Sequence, residues 1–166
     1  LYGAFSYSDF DLIQDDINFV EGFRFGLKNR NLYFNTSYKN KFGDNWRLET
    51  GMSFTNDYSN LKIINDLVTD NENSMHFKVK LKKQFSNRFK ISFGSEYFMT
   101  NFNEDYTANN RNKFQYGFNN NIFASFAETD IFFSKNLATK IGIRAEHSEL
   151  LNEFTISPSL SLAYKS

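Results

Sequence analysis

Apolar and polar residues take turns along most of the chain. Met75, Phe77, Val79 and Leu81 alternate with His76, Lys78, Lys80 and Lys82. After Ser86-Asn87-Arg88, the residues Phe89, Ile91, Phe93, Tyr97 and Met99 alternate with Lys90, Ser92, Gly94 and Glu96. A period of two is the signature of a β-strand with one apolar face. A helix would need apolar residues at spacings of three and four, and Asn, Phe, Tyr, Ser and Thr are mediocre helix formers. The pattern predicts about nine strands, near 1–7, 17–28, 32–40, 46–56, 73–85, 89–99, 114–133, 137–148 and 154–165.

Very short polar segments, Gly43-Asp44-Asn45, Ser86-Asn87-Arg88 and Ser134-Lys135-Asn136, join several of these strands. Between them lie long polar stretches at 57–72 and 100–112 and an intermediate one at 149–153. A hairpin is expected near Asn29-Arg30-Asn31. Alternately short and long connections are those of outer-membrane barrels, whose short turns face the periplasm. Strands of about 11–13 residues exceed the 5–6 common in soluble sheets and suit a tilted bilayer crossing. The expected fold class is therefore all-β: an antiparallel transmembrane β-barrel wall of long strands. Residues 1–166 form a single barrel segment without a plug domain in this expectation. Both ends fall in strand-like stretches, so the chain reads as a piece of a larger protein.

Composition sharpens this picture. The 19 basic and 19 acidic residues cancel, which argues against a nucleic-acid partner. Twenty-one Phe and nine Tyr accompany an overall polar chain, as a greasy outer face and a wet inner face require. With no cysteine, disulfides and thiolate chemistry are excluded. No run of 18 apolar residues is present, and a barrel needs none.

Two sets of candidate residues follow. Lys78, Lys80, Glu96, Glu128, Asp130, Lys140 and Arg144 fall on polar faces and are expected to meet a lumen or plug. Hairpin symmetry places Lys78 opposite Glu96 and Asp130 opposite Lys140, and such opposite charges contribute about 0.2–1 kcal/mol per pair. Trp46, Phe85, Phe89, Phe93, Phe133, Ile141 and Ile143 fall on apolar faces and are expected to meet lipid. Trp46, Phe85, Phe89 and Phe133, with Phe42 and Leu137, cluster beside the short turns, where aromatic girdles form. Of the adjacent Lys82 and Lys83, one must point outward. Lys83, three residues from the turn, can do so by snorkelling.

Catalytic signals are absent: there is no nucleophile elbow, phosphate loop or HExxH motif. No enzyme activity, cofactor or metal is expected. His76 and His147 read as solvated rim histidines. The acidic pairs Asp15-Asp16 and Glu104-Asp105 lack EF-hand spacing.

A family resemblance enters at residues 121–164. Ala127-Glu128-Thr129-Asp130, Phe133-Ser134-Lys135-Asn136-Leu137, Gly142-Ile143-Arg144-Ala145-Glu146 and Ile156-Ser157-Pro158, followed by Leu160-Ser161-Leu162-Ala163-Tyr164, carry it. This run resembles the barrel of Bacteroidota-type TonB-dependent outer-membrane receptors. The resemblance implies a 22-stranded barrel with a plugged lumen, a Gram-negative outer-membrane location, and import of a scarce nutrient powered through TonB. The implied partners are outer-membrane lipid, the rest of the parent barrel with its plug, and the TonB system. No plug, TonB box or terminal aromatic strand end is read in this chain, so transport would belong to the parent protein. Two alternatives stand beside this reading. One is a small complete barrel of eight or ten strands in adhesion or envelope integrity. The other is a soluble β-sandwich binding module.

Overall fold

In a computed structural model, residues 1–17, 19–109 and 111–165 are described. They form one antiparallel all-β sheet of eight strands in chain order. The strands are β1 (Tyr2–Asp16), β2 (Phe19–Phe42), β3 (Trp46–Ile63), β4 (Asp66–Gln84), β5 (Phe89–Ala108), β6 (Asn112–Phe132), β7 (Leu137–Ser148) and β8 (Glu153–Tyr164). Each strand pairs with its sequence neighbours, and β1 and β8 are the two edges, so the sheet is open.

The strand count is eight rather than nine. Stretches 17–28 and 32–40 belong to a single strand, β2, and Asn29-Arg30-Asn31 is no hairpin. Those three residues pair in unbroken register with Ser8, Tyr7 and Ser6 of β1. The stretches 57–72 and 100–112 are not long loops either. They continue β3, β4, β5 and β6 up to tight turns around Ile64 and Asn109. The physical reason is the same in each case. A ladder satisfies backbone N–H and C=O groups whatever the side chains are, so pairing persists after apolar alternation has faded.

The sheet comprises two compact units, 1–35 with 54–75 and 99–119, and 36–53 with 76–98 and 120–166. The second unit holds the three short turns. Ser86 and Ser134 share one device, in which the serine Oγ accepts a backbone N–H inside its own turn. Arg88 donates to Ser86 Oγ at 3.1 Å, and both Asn136 and Leu137 donate to Ser134 Oγ at 3.1 Å. Gly43 (φ 52°) and Asn45 (φ 65°) supply the left-handed residues of the third turn. Each turn is tied to the next strand along. Gln84 N donates to Asn45 O at 3.0 Å, Phe132 N to Arg88 O at 2.8 Å, and Lys165 N to Asn136 O at 2.8 Å.

Burial in this second unit is inverted relative to a soluble domain. Its most enclosed side chains are Ala124 and the polar pair Ser92 (3% exposed) and Glu96 (7%). Ile141 and Ile143, by contrast, are about half exposed, at 49% and 51%.

Candidate functional site

The polar face of the second unit carries two groups of ion pairs. Expected hairpin register brings the first together: Lys78 Nζ donates to Glu96 Oε1. Arg144 reaches the same carboxylate from β7, with Nη1 2.6 Å from Glu96 Oε2, and its Nε binds Glu146 Oε2 at 3.0 Å. A second group lies alongside. Glu128 Oε2 accepts from Lys80 and Lys140, each at 3.4 Å, and Lys82 binds Asp130 Oδ2 at 3.1 Å. Asp130 pairs directly with Lys140 in the β6–β7 ladder, as hairpin symmetry requires. Its closer ionic partner is nonetheless Lys82, since Lys140 stands 3.7 Å away. All seven candidate polar residues thus belong to these two groups.

Lys80 and Lys82 reach Glu128 and Asp130 across an intervening strand, and small residues on that strand make room. A Cβ on Gly94 would press on the Val79 carbonyl and lie 2.8 Å from Phe126 Cζ. Gly142, paired with Glu128 on one side and Ser159 on the other, is close-packed too, with a Cβ 2.7 Å from Ser159 Oγ. Phe126 occupies the space that Gly94 opens. Lys78 and Lys80 lie over its ring at 5.3 and 5.7 Å, so one aromatic joins the two ionic groups. A recess of about 300 Å³ opens here, lined by Lys78, Lys80, Glu96, Phe126, Glu128 and Arg144, among others.

Sequence reasoning did not single out Phe126, Gly94 or Gly142. The signal for Gly94 was its place on a lysine-facing row: a residue without a side chain there lets its neighbours cross. A further basic recess also went unnoticed. Lys41, Arg47, Lys82 and Lys90 line a cavity of about 340 Å³ beside Gly43, Asn45 and Trp46.

The opposite face carries the apolar set. Trp46 stacks on Phe42 at 6.3 Å and meets Phe93 edge-on at 6.3 Å, and Phe85 packs on Phe89 at 5.7 Å. Lys83 belongs to this face: its Nζ lies 4.9 Å over Trp46 and 5.0 Å over Phe85. Phe93, Phe133, Ile141 and Ile143 are exposed, and Leu137 is half-buried.

His76 is not a solvated rim residue. Its ring stacks on Phe98 at 4.0 Å and 9°, and Nε2 is buried without a hydrogen-bond partner. Position 76 continues the row of Lys78, Lys80 and Lys82, and an aromatic neighbour encloses it there. His147 is exposed, between Phe123 and Phe154 in the ladder. Among the described residues, no three His, Asp or Glu side chains converge as a metal site would need. The Asp16 side chain, from the acidic pair at 15–16, lies outside the described residues.

In the first unit, Asp66 Oδ1 accepts the Asn109 backbone N–H at 2.8 Å and Oδ2 the Tyr106 hydroxyl at 2.9 Å. The Asn109 N–H and then the Tyr106 hydroxyl hold the Asp66 carboxyl below its ordinary range, against a smaller desolvation effect. Tyr106 is correspondingly raised, chiefly by the same hydrogen bond.

The fold is shared with a solved structure, that of the alcaligin outer membrane receptor FauA from Bordetella pertussis. The two superpose with a TM-score of 0.70 at 11% sequence identity, over 98% of this chain and 29% of that receptor. The chain therefore spans less than a third of that protein's length. No curated protein matches the sequence. Residues 23–161 match the outer membrane protein beta-barrel family. Barrel walls of this kind are generally non-catalytic. The matched span covers most of the sheet, and on that ground the chain belongs to the outer membrane protein beta-barrel family, whose place is the Gram-negative outer membrane.

Proposed function

We propose that this chain is part of the wall of a TonB-dependent receptor that imports a nutrient ligand across the outer membrane. One observation carries the reading: the second unit exposes its large apolar side chains while enclosing Ser92 and Glu96. Lipid is the solvent that such an apolar face requires. Trp46, Phe85, Phe89, Phe93, Phe133, Ile141 and Ile143 would meet it, with the aromatics and Lys83 at the headgroup level. Lys78, Lys80, Glu96, Glu128, Asp130, Lys140 and Arg144 would face a water-filled lumen or a plug. The basic recess of Lys41, Arg47, Lys82 and Lys90 would receive an acidic segment of such a plug.

The free edges at β1 and β8 support a larger barrel. Unpaired edges are untenable in hydrocarbon, and the FauA likeness covers nearly the whole chain while leaving most of that receptor unmatched. Residues 1–166 would then be one wall segment, with plug, remaining strands and TonB contact supplied by the parent protein. The second reading, a small complete barrel, would require β1 to pair with β8.

Single cysteines in the full-length protein test both points. Cysteines at Phe93 and Ile143 should react with a bilayer-confined probe, and those at Lys78 and Arg144 with a water-soluble maleimide. The opposite pattern would overturn the wall assignment. Disulfides forming readily between single cysteines scanned along β1 and β8 would favour the small closed barrel.

A further inference from the structure

In the first unit one face of the sheet is aromatic and carries charge of a single sign. On β5 and β6 it presents Phe102, Tyr106, Phe114, Tyr116 and Phe118. Phe102 meets Phe118 at 5.5 Å and Tyr116 at 6.4 Å, and Tyr106 stacks on Phe114 at 6.0 Å. Phe114 and Tyr116 are 59% and 63% exposed. Asp66, bonded to the Tyr106 hydroxyl, stands on the same face, and alternation adds Asp70, Glu72 and Glu104. Asn56 and Asn60 bond Asn73 and Thr69 on the opposite face, at 2.8 and 2.9 Å, so Asp57 of β3 falls on this one.

Among the described residues of this unit, no Lys, Arg or His on a strand shares that face. The strand cations Arg24, Lys28, Arg30, Lys62 and Lys113 alternate onto the opposite side. There Arg24 and Lys28 pair with Asp11 and Asp9, and Arg30 lies over Tyr58.

The carboxylates are therefore uncompensated. The Asn56–Asn73 and Asn60–Thr69 bonds set Asp57 opposite Glu72, and hairpin symmetry about Asn87, carried along β4 and β5, sets Asp70 opposite Glu104. Like charges directly opposite one another destabilise a sheet. In the second unit Glu96, Glu128, Asp130 and Glu146 each meet a Lys or Arg. Among the described residues none of Asp57, Asp66, Asp70, Glu72 and Glu104 does. Asp57 accepts only from Asn31 and Glu72 only from Ser74, both neutral, and Asp70 Oδ1 is buried without a partner.

Aromatic rings open to water, beside carboxylates that lack a counter-charge, complement a cation on an apolar stem. A metal ion is a poor fit, because no three acidic side chains converge among the described residues. Separated cations fit better. Asp70 and Glu72 lie two residues apart on β4, about 6.8 Å, which is also the same-side repeat of an extended peptide.

We propose that this face docks an extended basic peptide. Its alternate Lys or Arg side chains would reach the Asp57–Glu72 and Asp70–Glu104 pairs, with their stems against the rings of β5 and β6. This rests on the wall reading above, in which the even positions of β4 and β5 face the interior, and it names the charge and kind of the imported ligand.

The test uses the full-length protein in detergent and dye-labelled peptides with Lys, Gln or Glu at alternate positions, titrated by fluorescence anisotropy. The Lys peptide should bind at least about tenfold more tightly than the other two, and its affinity should fall as salt rises. Glu72→Gln/Glu104→Gln and, separately, Tyr116→Ala, each checked for normal heat-modifiable folding, should weaken it about tenfold. Asp9→Asn/Asp11→Asn, on the opposite side, should leave it unchanged. Equal binding of the three peptides, unchanged affinity in the folded charge variant or ring variant, or an equal loss in the Asp9/Asp11 variant would overturn the proposal. Should one variant not fold, the other and the ranking of the peptides decide. If the Lys peptide does not bind while cysteines at Phe93 and Ile143 still react with the bilayer-confined probe, the proposal falls and the wall reading stands. Loss of that reaction would overturn both.

Discussion

Replacing Glu96 by Gln should cost much more than the same change at Glu128, although both carboxylates accept from two cations. Glu96 is 7% exposed and holds Arg144 at 2.6 Å as well as Lys78. Hydrogen bonds to charged groups contribute about 1.5–3 kcal/mol each. Lys78 and Arg144 are themselves 44% and 33% exposed, so solvent screens part of that. A loss of about 2–3 kcal/mol remains for Glu96→Gln. Glu128 meets Lys80 and Lys140 at 3.4 Å and is 30% exposed, the regime of pairs that contribute about 0.2–1 kcal/mol. Urea unfolding of the full-length barrel, followed by the shift between folded and unfolded gel mobility, measures both. A gap of about 1.5 kcal/mol is roughly tenfold in the unfolding equilibrium. A double-mutant cycle with Arg144→Met isolates the pair. If Glu96→Gln proves no more costly than Glu128→Gln, the enclosed carboxylate is not the keystone of the polar face, and the reasoning fails.

Three further outcomes are expected. Ile143→Arg should block membrane assembly, at a cost of about 2–4 kcal/mol if it lies near the bilayer midplane, and normal heat-modifiable folding would count against its outward placement. Ile64, a β-branched residue at φ 56° in the β3–β4 turn, carries left-handed strain, so Ile64→Asn should stabilise by about 1 kcal/mol, read as a higher urea midpoint. Asp66 is held below the ordinary carboxyl value, so the stability it confers is present above about pH 4 and is lost as pH falls through the lowered value. The difference in pepsin cleavage near Asn109 between wild type and Asp66→Asn, compared at the same pH, should therefore change on acidification through the range where Asp66 titrates, and a constant difference would refute the linkage.

The second unit was legible because its two faces differ in kind. Lys78 and Glu96, or Ile141 and Lys140, could be placed by parity alone, and hairpin symmetry about Asn87 and Lys135 then set Lys78 opposite Glu96 and Asp130 opposite Lys140. Length was harder to read. Asn60 and Asn71, in the stretch 57–72, have the composition of a loop, yet they stand on paired strands, because the backbone ladder is indifferent to what alternates along it. The same indifference hid the continuity of β2 through Asn29-Arg30-Asn31. Phe126 was hidden for another reason. An aromatic on a charged row looks like an exception until Gly94 is seen to make space for it beside Lys78 and Lys80.

Alternation by itself does not choose between lipid and a second protein layer, for a sandwich also needs one apolar face. Energetics narrow the choice. More than a dozen large apolar side chains of the second unit are about half exposed. Full burial of each is worth about 1.5–3 kcal/mol, so water on that face forfeits on the order of 10–15 kcal/mol, as much as the whole stability of an ordinary domain. Something apolar must cover it. Strands of 12 to 24 residues then decide what. A soluble layer would have to extend as far as they do, whereas a bilayer needs only a stretch of about 9–11 residues and leaves the rest in water. That division is seen in the chain itself, where Met75 gives way to Asn73 and Met99 to Asn101 while the strands run on.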